Sequence, residues 1–211
     1  MKLYYKKTPT LARPLTEQDY EARGGIIETI EGPAPFQAGD YLGRDRKGFF
    51  PIKKATLETY VKLLDLPGTW AYYQALDTRE ATKQVGAFSL GGQHGKAGDY
   101  TVRNHKGREW IVDGQLFESD YAEEPECYPV SNLAEILMDG STASVSITVQ
   151  VQEQVVILTA NVFRGSAETH TLVIGEPGRV PHYRRDTLST RQIEAILGKL
   201  TPQLLVWRRV V

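Results

Sequence analysis

Four basic residues recur at matched places in this 211-residue chain: Arg44 with Arg103, and Lys47 with Lys106. Paired cations at fixed spacing suit anion binding, because Arg grips carboxylate or phosphate with a planar fork and Lys supplies a point charge. His105 lies between two of them. Two hairpins carrying these residues would, if they faced each other, line one concave site for an anionic ligand. A second basic stretch, "HYRRD", holds His182, Arg184 and Arg185 just before a predicted helix. Cations beside an aromatic residue near a helix N-terminus suit phosphate or single-stranded nucleic acid.

Other chemistry is absent or weak. Asp40 and Asp99 also recur and would make an acid pair, but turn formation accounts for them more simply, since Asp bonds its own downstream N–H groups. "GGQHGKAGD" fails as a phosphate loop: the pattern needs Gly where the chain has Leu90, and Ser or Thr where it has Ala97. His94, His105, His170 and His182 fall in no metal-ligand spacing and read as surface or turn residues. No Gly-x-Ser-x-Gly elbow occurs. Cys127 is the only cysteine, so no internal disulfide or thiolate cluster forms. Its acidic neighbours raise a thiol pKa and make it a poor nucleophile. No catalytic residue, metal or cofactor is expected.

Apolar residues make up 41% of the chain and charged ones 24%, the composition of a folded globular protein and neither a coiled coil nor a disordered chain. The net charge of −1 is unevenly spread. No Lys or Arg lies between Arg108 and Arg164, while the tail from Glu176 carries seven basic against three acidic residues. That asymmetry fits either a basic face or segments that neutralise one another. The basic N-terminus leads into no apolar stretch and no run is long enough to span a membrane, so a cytoplasmic location is expected.

The elements that must position these residues follow from pattern. Lys2 to Pro14 reads as extended, and Thr16 caps a helix through Arg23. "IIETI" is strand-like, and "YLGRDRKGFFPI" reads as a hairpin. "ATLETYVKLL" has Leu57, Tyr60, Val61 and Leu64 at helical spacing, which predicts a helix ended by Pro67-Gly68. "TWAYYQALDTREATKQV" reads as helical in its first half. "YTVRNHKGREWIV" is a second hairpin with Tyr100, Val102, Trp110 and Val112 on one face, and Arg103 opposite Glu109. After the acidic "EEPECYP" (Glu123 to Pro129), "SVSITVQVQ" alternates as a half-buried strand does, and "VVILTANVF" and "THTLVI" extend it to an antiparallel meander. "STRQIEAILGKL" opens with a capping box at Ser189 and Gln192. "LLVWRRVV" is too apolar to hang free.

Ala38-Gly39-Asp40-Tyr41 matches Ala97-Gly98-Asp99-Tyr100, and "LETY" falls near "FESDY", which predicts an internal duplication of about 60 residues. One unit of that size buries little core, so two should pack together. The second copy, "GDYTVRNHKGREWIVDGQLFESDY", resembles the PGDYG family and short phage-encoded proteins of the same form. The residues that carry the likeness are Gly98, Asp99, Tyr100, Lys106, Gly107, Trp110, Val112, Phe117, Glu118 and Tyr121. Both copies have Ala (Ala38, Ala97) where the family name has Pro, and the first copy has Leu57 in place of Phe. The resemblance covers roughly 26–122. It implies a small module of phage or mobile-element origin and carries over no catalytic residue.

The expected fold is α+β: two tandem hairpin-plus-helix units at 1–66 and 67–124, then an antiparallel meander with one covering helix at 130–211. The expected function is non-enzymatic, a binding or adaptor module for an anionic ligand such as a nucleotide, nucleic acid or acidic protein surface. An enzyme acting on a nucleotide or phosphoester is the alternative. A structural role is the third reading, with the C-terminal segment meeting a protein partner or a second copy.

Overall fold

Why the chain crosses itself so often becomes plain from its order of elements. The computed structural model describes every residue except 1, 31, 46–47, 105–106, 126–130, 139–141, 166–168, 202–204 and 211. Strands β1 (Lys2–Lys6) and β2 (Thr10–Pro14) lead into α1 (Glu17–Arg23), β3 (Ile26–Thr29) and β4 (Gly32–Pro35). The hairpin β5 (Tyr41–Asp45) and β6 (Gly48–Ile52) follows, then the one-turn helix α2 (Lys54–Leu57), β7 (Tyr60–Asp65) and β8 (Ala71–Ala75). Next come β9 (Thr78–Lys83), β10 (Phe88–Leu90), β11 (Gln93–Gly95) and the hairpin β12 (Tyr100–Arg103) and β13 (Glu109–Val112). Helix α3 (Gly114–Asp120) and β14 (Tyr121–Glu123) close that stretch. The remainder holds α4 (Leu133–Met138), β15 (Thr142–Val151), β16 (Gln154–Arg164), β17 (His170–Gly175), β18 (Tyr183–Leu188), α5 (Thr190–Gly198) and β19 (Arg208–Val210).

The class is α+β, with strands predominating in several small antiparallel sheets. Three sheets have five strands, in the orders β6-β5-β2-β8-β7, β13-β12-β9-β1-β14 and β18-β17-β16-β15-β19. Two ribbons, β3-β4 and β10-β11, complete the set. The chain divides into two compact units. One is Met1–Thr8 with Leu76–Cys127 and contains the sheet β13-β12-β9-β1-β14; the other is Pro9–Ala75 with Tyr128–Val211 and contains the other two five-stranded sheets. These limits differ from the expected 1–66 and 67–124. Strand β8 closes the sheet of the preceding residues, and β1 pairs far along the chain with β9 and β14.

The first two sheets each bury a small core. In one, Ala12, Ile52, Leu57, Tyr60 and Ala75 form the core, with Tyr41, Phe50 and Tyr73 packed against it. In the other, Ala81, Tyr100, Val102 and Phe117 form it, with Tyr4, Trp110, Val112 and Tyr121 around them. Each places a tyrosine edge-on to the tyrosine that opens the hairpin: Tyr41 to Tyr73 at 6.0 Å, and Tyr4 to Tyr100 at 6.2 Å between ring centres. Edge-to-face pairs of this kind add to the burial of the rings themselves.

Two predicted helices are strands. Tyr60 opens β7 and Ala71 opens β8, where "ATLETYVKLL" and "TWAYYQALD" had suggested helical stripes. Both strands are buried on each face, with Val61 and Leu63 on one side of β7 and Tyr60 on the other. A strand covered on both sides reads as a continuous apolar run, which helical spacing also matches. Thr16 caps α1 as expected, with Asp19 completing a capping box there, and the expected box of Ser189 with Gln192 forms on α5.

In the meander β15 alternates without a fault, burying Ala143, Val145, Ile147, Val149 and Val151. Buried residues of β16 and β17 join them, together with Ile193, Ile196 and Leu197 of α5. Strand β19 adds to the edge of β15, and Trp207, 2% exposed, is fixed by Asn132 at both its N–H and its carbonyl. The apolar C-terminal segment thus packs on its own sheet. The meander meets β7 and β8 within the same unit: Gln152 Nε2 donates to the Tyr72 hydroxyl on β8, and His182 bonds the Lys62 backbone on β7.

Candidate functional site

The recurring aspartates hold turns in place. Asp40 is 6% exposed; its Oδ2 accepts the Gln37 N–H at 2.9 Å and the Lys53 ammonium at 2.8 Å, and its Oδ1 accepts the Lys54 N–H at 3.1 Å. Asp99, equally buried, accepts the Lys96 N–H at 3.0 Å and the Gly114 N–H at 3.1 Å. Each carboxylate ties the turn before its hairpin to the first turn of the helix after it. Burial acts to raise the Asp40 pKa, but Lys53 and the two N–H groups outweigh it and hold it below the ordinary value. Both carboxylates serve the turns that precede their hairpins, the role that turn formation predicts.

The recurring arginines meet different neighbours. Arg103 lies between Glu109 on β13 and Glu80 on β9 in register, and its Nε donates to Glu80 Oε2 at 2.7 Å. Glu109, the partner expected across the hairpin, stands opposite Arg103 and acts on its charge, and Glu80 on the other flank takes its hydrogen bonds. Arg44 lies between Phe49 on β6 and Leu11 on β2. It is exposed, its guanidinium stands 5.7 Å from the Phe49 ring centre, and no carboxylate among the described residues forms an ion pair with it. Lys47, Lys106 and His105 lie outside the described residues, as does Cys127. Arg44 and Arg103 belong to different units.

"HYRRD" is a strand, not a loop. Tyr183 to Leu188 form β18, the edge of the meander sheet. Arg184 pairs with Asp186 at 3.1 Å, and Arg185 is exposed. Edge strands carry charge in this way to deter further pairing. His182 faces β7 rather than solvent. Burial and the nearby Lys62 push its imidazole below the ordinary pKa. His170, expected at the surface, is 7% exposed in β17. Among the described residues no group of three or more His, Cys, Asp or Glu could hold a metal ion, and no helix is long and apolar enough to cross a membrane.

One surface combines cations with open aromatic rings. Phe49 is 43% exposed and tilts against Trp70, with ring centres 6.5 Å apart. Arg13 stands 5.8 Å over Trp70. Both of its terminal nitrogens donate to Asp19, at 2.9 and 2.7 Å, and the guanidinium holds that carboxyl well below the usual carboxylate range. Arg13 is thereby fixed as a support for the indole. The row runs Arg44, Phe49, Trp70, Arg13, with its Arg44 end open. Trp70 packs in turn on Leu15, Ile27, Phe36 and Leu42. Of these four, the sequence pointed only to Arg44. Counting outward from the hairpin tip would have put Phe49 opposite Arg44, but Trp70 arrives from the turn before β8 and Arg13 from β2, which no local pattern connects.

Comparison with known proteins found no matching family model, no matching curated protein and no matching solved structure.

Proposed function

We propose that this chain is a binding module for single-stranded nucleic acid, taken on the sheet face that carries Phe49. The observation behind this reading is the open end of the cation–aromatic row: Arg44 over Phe49, backed by Trp70. A base can stack on a half-exposed ring whatever its sequence, and the adjacent guanidinium can meet the phosphate or the base face. The hairpin of the other unit does not offer the same contact, because Arg103 is neutralised by Glu80. The two similar sheets are tandem copies of one PGDYG-like module, one of which keeps an arginine with no carboxylate partner among the described residues. Support for that reading is their shared strand order, the corresponding cores and the matched roles of Asp40 and Asp99.

Fluorescence anisotropy with labelled oligonucleotides tests the function. Binding is expected to weaken with salt, and Phe49→Ala should cost about 1–3 kcal/mol of affinity, the worth of one stacked base. Arg44→Ala should lower the slope of log K against log salt by about 0.7. An oligonucleotide that binds equally well to wild type and Phe49→Ala would remove this face from the interaction, and no binding at all would remove the function.

A further inference from the structure

Strand β1 occupies a slot made by residues far away in sequence. It lies between β9 and β14, pairing Leu3 with Glu80 and Tyr5 with Ala122. In the sheet β6-β5-β2-β8-β7 the matching place, between β2 and β7, is taken by β8. There the chain turns straight back from β7, with Gly68 and Thr69 both at positive φ. After β14 no such return occurs, and the N-terminus fills the gap instead.

The slot recognises β1 as it would a peptide. Tyr4 places its ring 5.0 Å from Phe117 and 6.2 Å from Tyr100. Lys2 pairs with Glu123 at 2.9 Å, and Lys7 donates from its backbone to Asp120 at 2.8 Å and from its ammonium to the Glu118 carbonyl at 3.1 Å. The Glu124 N–H reaches the Leu3 carbonyl at 2.8 Å. A basic strand with one aromatic anchor therefore meets an acidic rim and an aromatic floor, which is the chemistry of strand addition. One flank of the slot, β14, is only Tyr121–Glu123, so β1 is paired there at three residues, beside four on β9. The tether from β1 to β2 is Lys7, Thr8 and Pro9. Short, stiff hinges of this kind favour exchange between copies, because the same contacts form in trans with the hinge extended.

We propose that the slot between β9 and β14 accepts β1 from a second copy of this chain, giving a strand-exchanged dimer. Two full-length variants test it, each with Cys127→Ser: Leu3→Cys in one, Glu80→Cys in the other. Mixed at rising concentration under mild oxidation, they should form a disulfide between copies, read on a non-reducing gel. Adding Tyr4→Ala to the first variant should cut the yield about fivefold, as loss of an aromatic pair predicts. The double variant Leu3→Cys/Glu80→Cys should close within one copy when dilute. The proposal falls if the mixed variants never link while the double variant does. It falls equally if Leu3→Cys links to Gln84→Cys as readily as to Glu80→Cys, or if the double variant fails to close.

Discussion

Phe117→Ala is expected to destabilise the sheet β13-β12-β9-β1-β14 by about 3–5 kcal/mol, the range for truncating a fully buried aromatic side chain. Phe117 is 1% exposed and is the hub of its core. Tyr100 stacks on it at 4.0 Å and Tyr121 at 4.6 Å, while Tyr4 meets it edge-on at 5.0 Å. Three rings held around one centre cannot close in on a methyl group, so the cavity stays open and the transfer cost is joined by lost ring contacts. Phe117→Leu should be far milder. Leu57 holds the matching place beside Tyr41 and Tyr60 in the other sheet, and such a core accepts the smaller side chain. Urea denaturation of both variants gives the difference, and hydrogen exchange of β9 and β12 amides localises it. A loss below about 1 kcal/mol for Phe117→Ala would show that α3 is not what holds the sheet.

What the sequence discloses, and what it hides, divides along a physical line. Patterns that act over a few residues were legible. The Thr16 cap of α1 and the capping box of α5 are local hydrogen bonds, the hairpins β5-β6 and β12-β13 close over short connections, and β15 alternates because one face is buried. Strands covered on both faces were not. Tyr60, Val61 and Leu64 fit helical spacing, yet β7 is sandwiched between its own core and the meander, so the period of two is erased. The charged run at Arg184, Arg185 and Asp186 resembled a loop because an edge strand displays polar side chains. Nothing near Tyr4 announces that it will pack on Phe117.

The same line runs through the candidate site. Arg44 could be singled out because it recurs, and recurrence is visible in a string of letters. Its availability could not, because that depends on the neighbours two strands contribute. Glu80 beside Arg103 and Leu11 beside Arg44 are facts of register. Recurrence can therefore mark a residue in the letters, while the register of the neighbouring strands decides whether its charge is met.

Asp40→Ala should cost about 2–4 kcal/mol at neutral pH, since the Gln37 and Lys54 N–H groups lose a charged acceptor in a site with little water. Its dependence on pH separates this role from packing. The folded-state pKa lies below the ordinary 3.8, so the ionised form is the one that folding favours. The stabilisation is complete above the unfolded-state value and disappears as pH falls from there through the folded-state pKa. Asp40→Asn keeps one acceptor oxygen but cannot ionise, so its stability relative to wild type should be lowest at pH 7 and recover toward zero at the acid end. Asp19, held below the usual carboxylate range by Arg13, is present in both proteins and cancels in the comparison. Urea titrations of wild type and Asp40→Asn at a series of pH values between neutrality and about pH 2 read the difference directly. A gap that stays constant across that range would mean that the shape of the side chain, and not the charge that Lys53 faces, is what fixes the turn to α2.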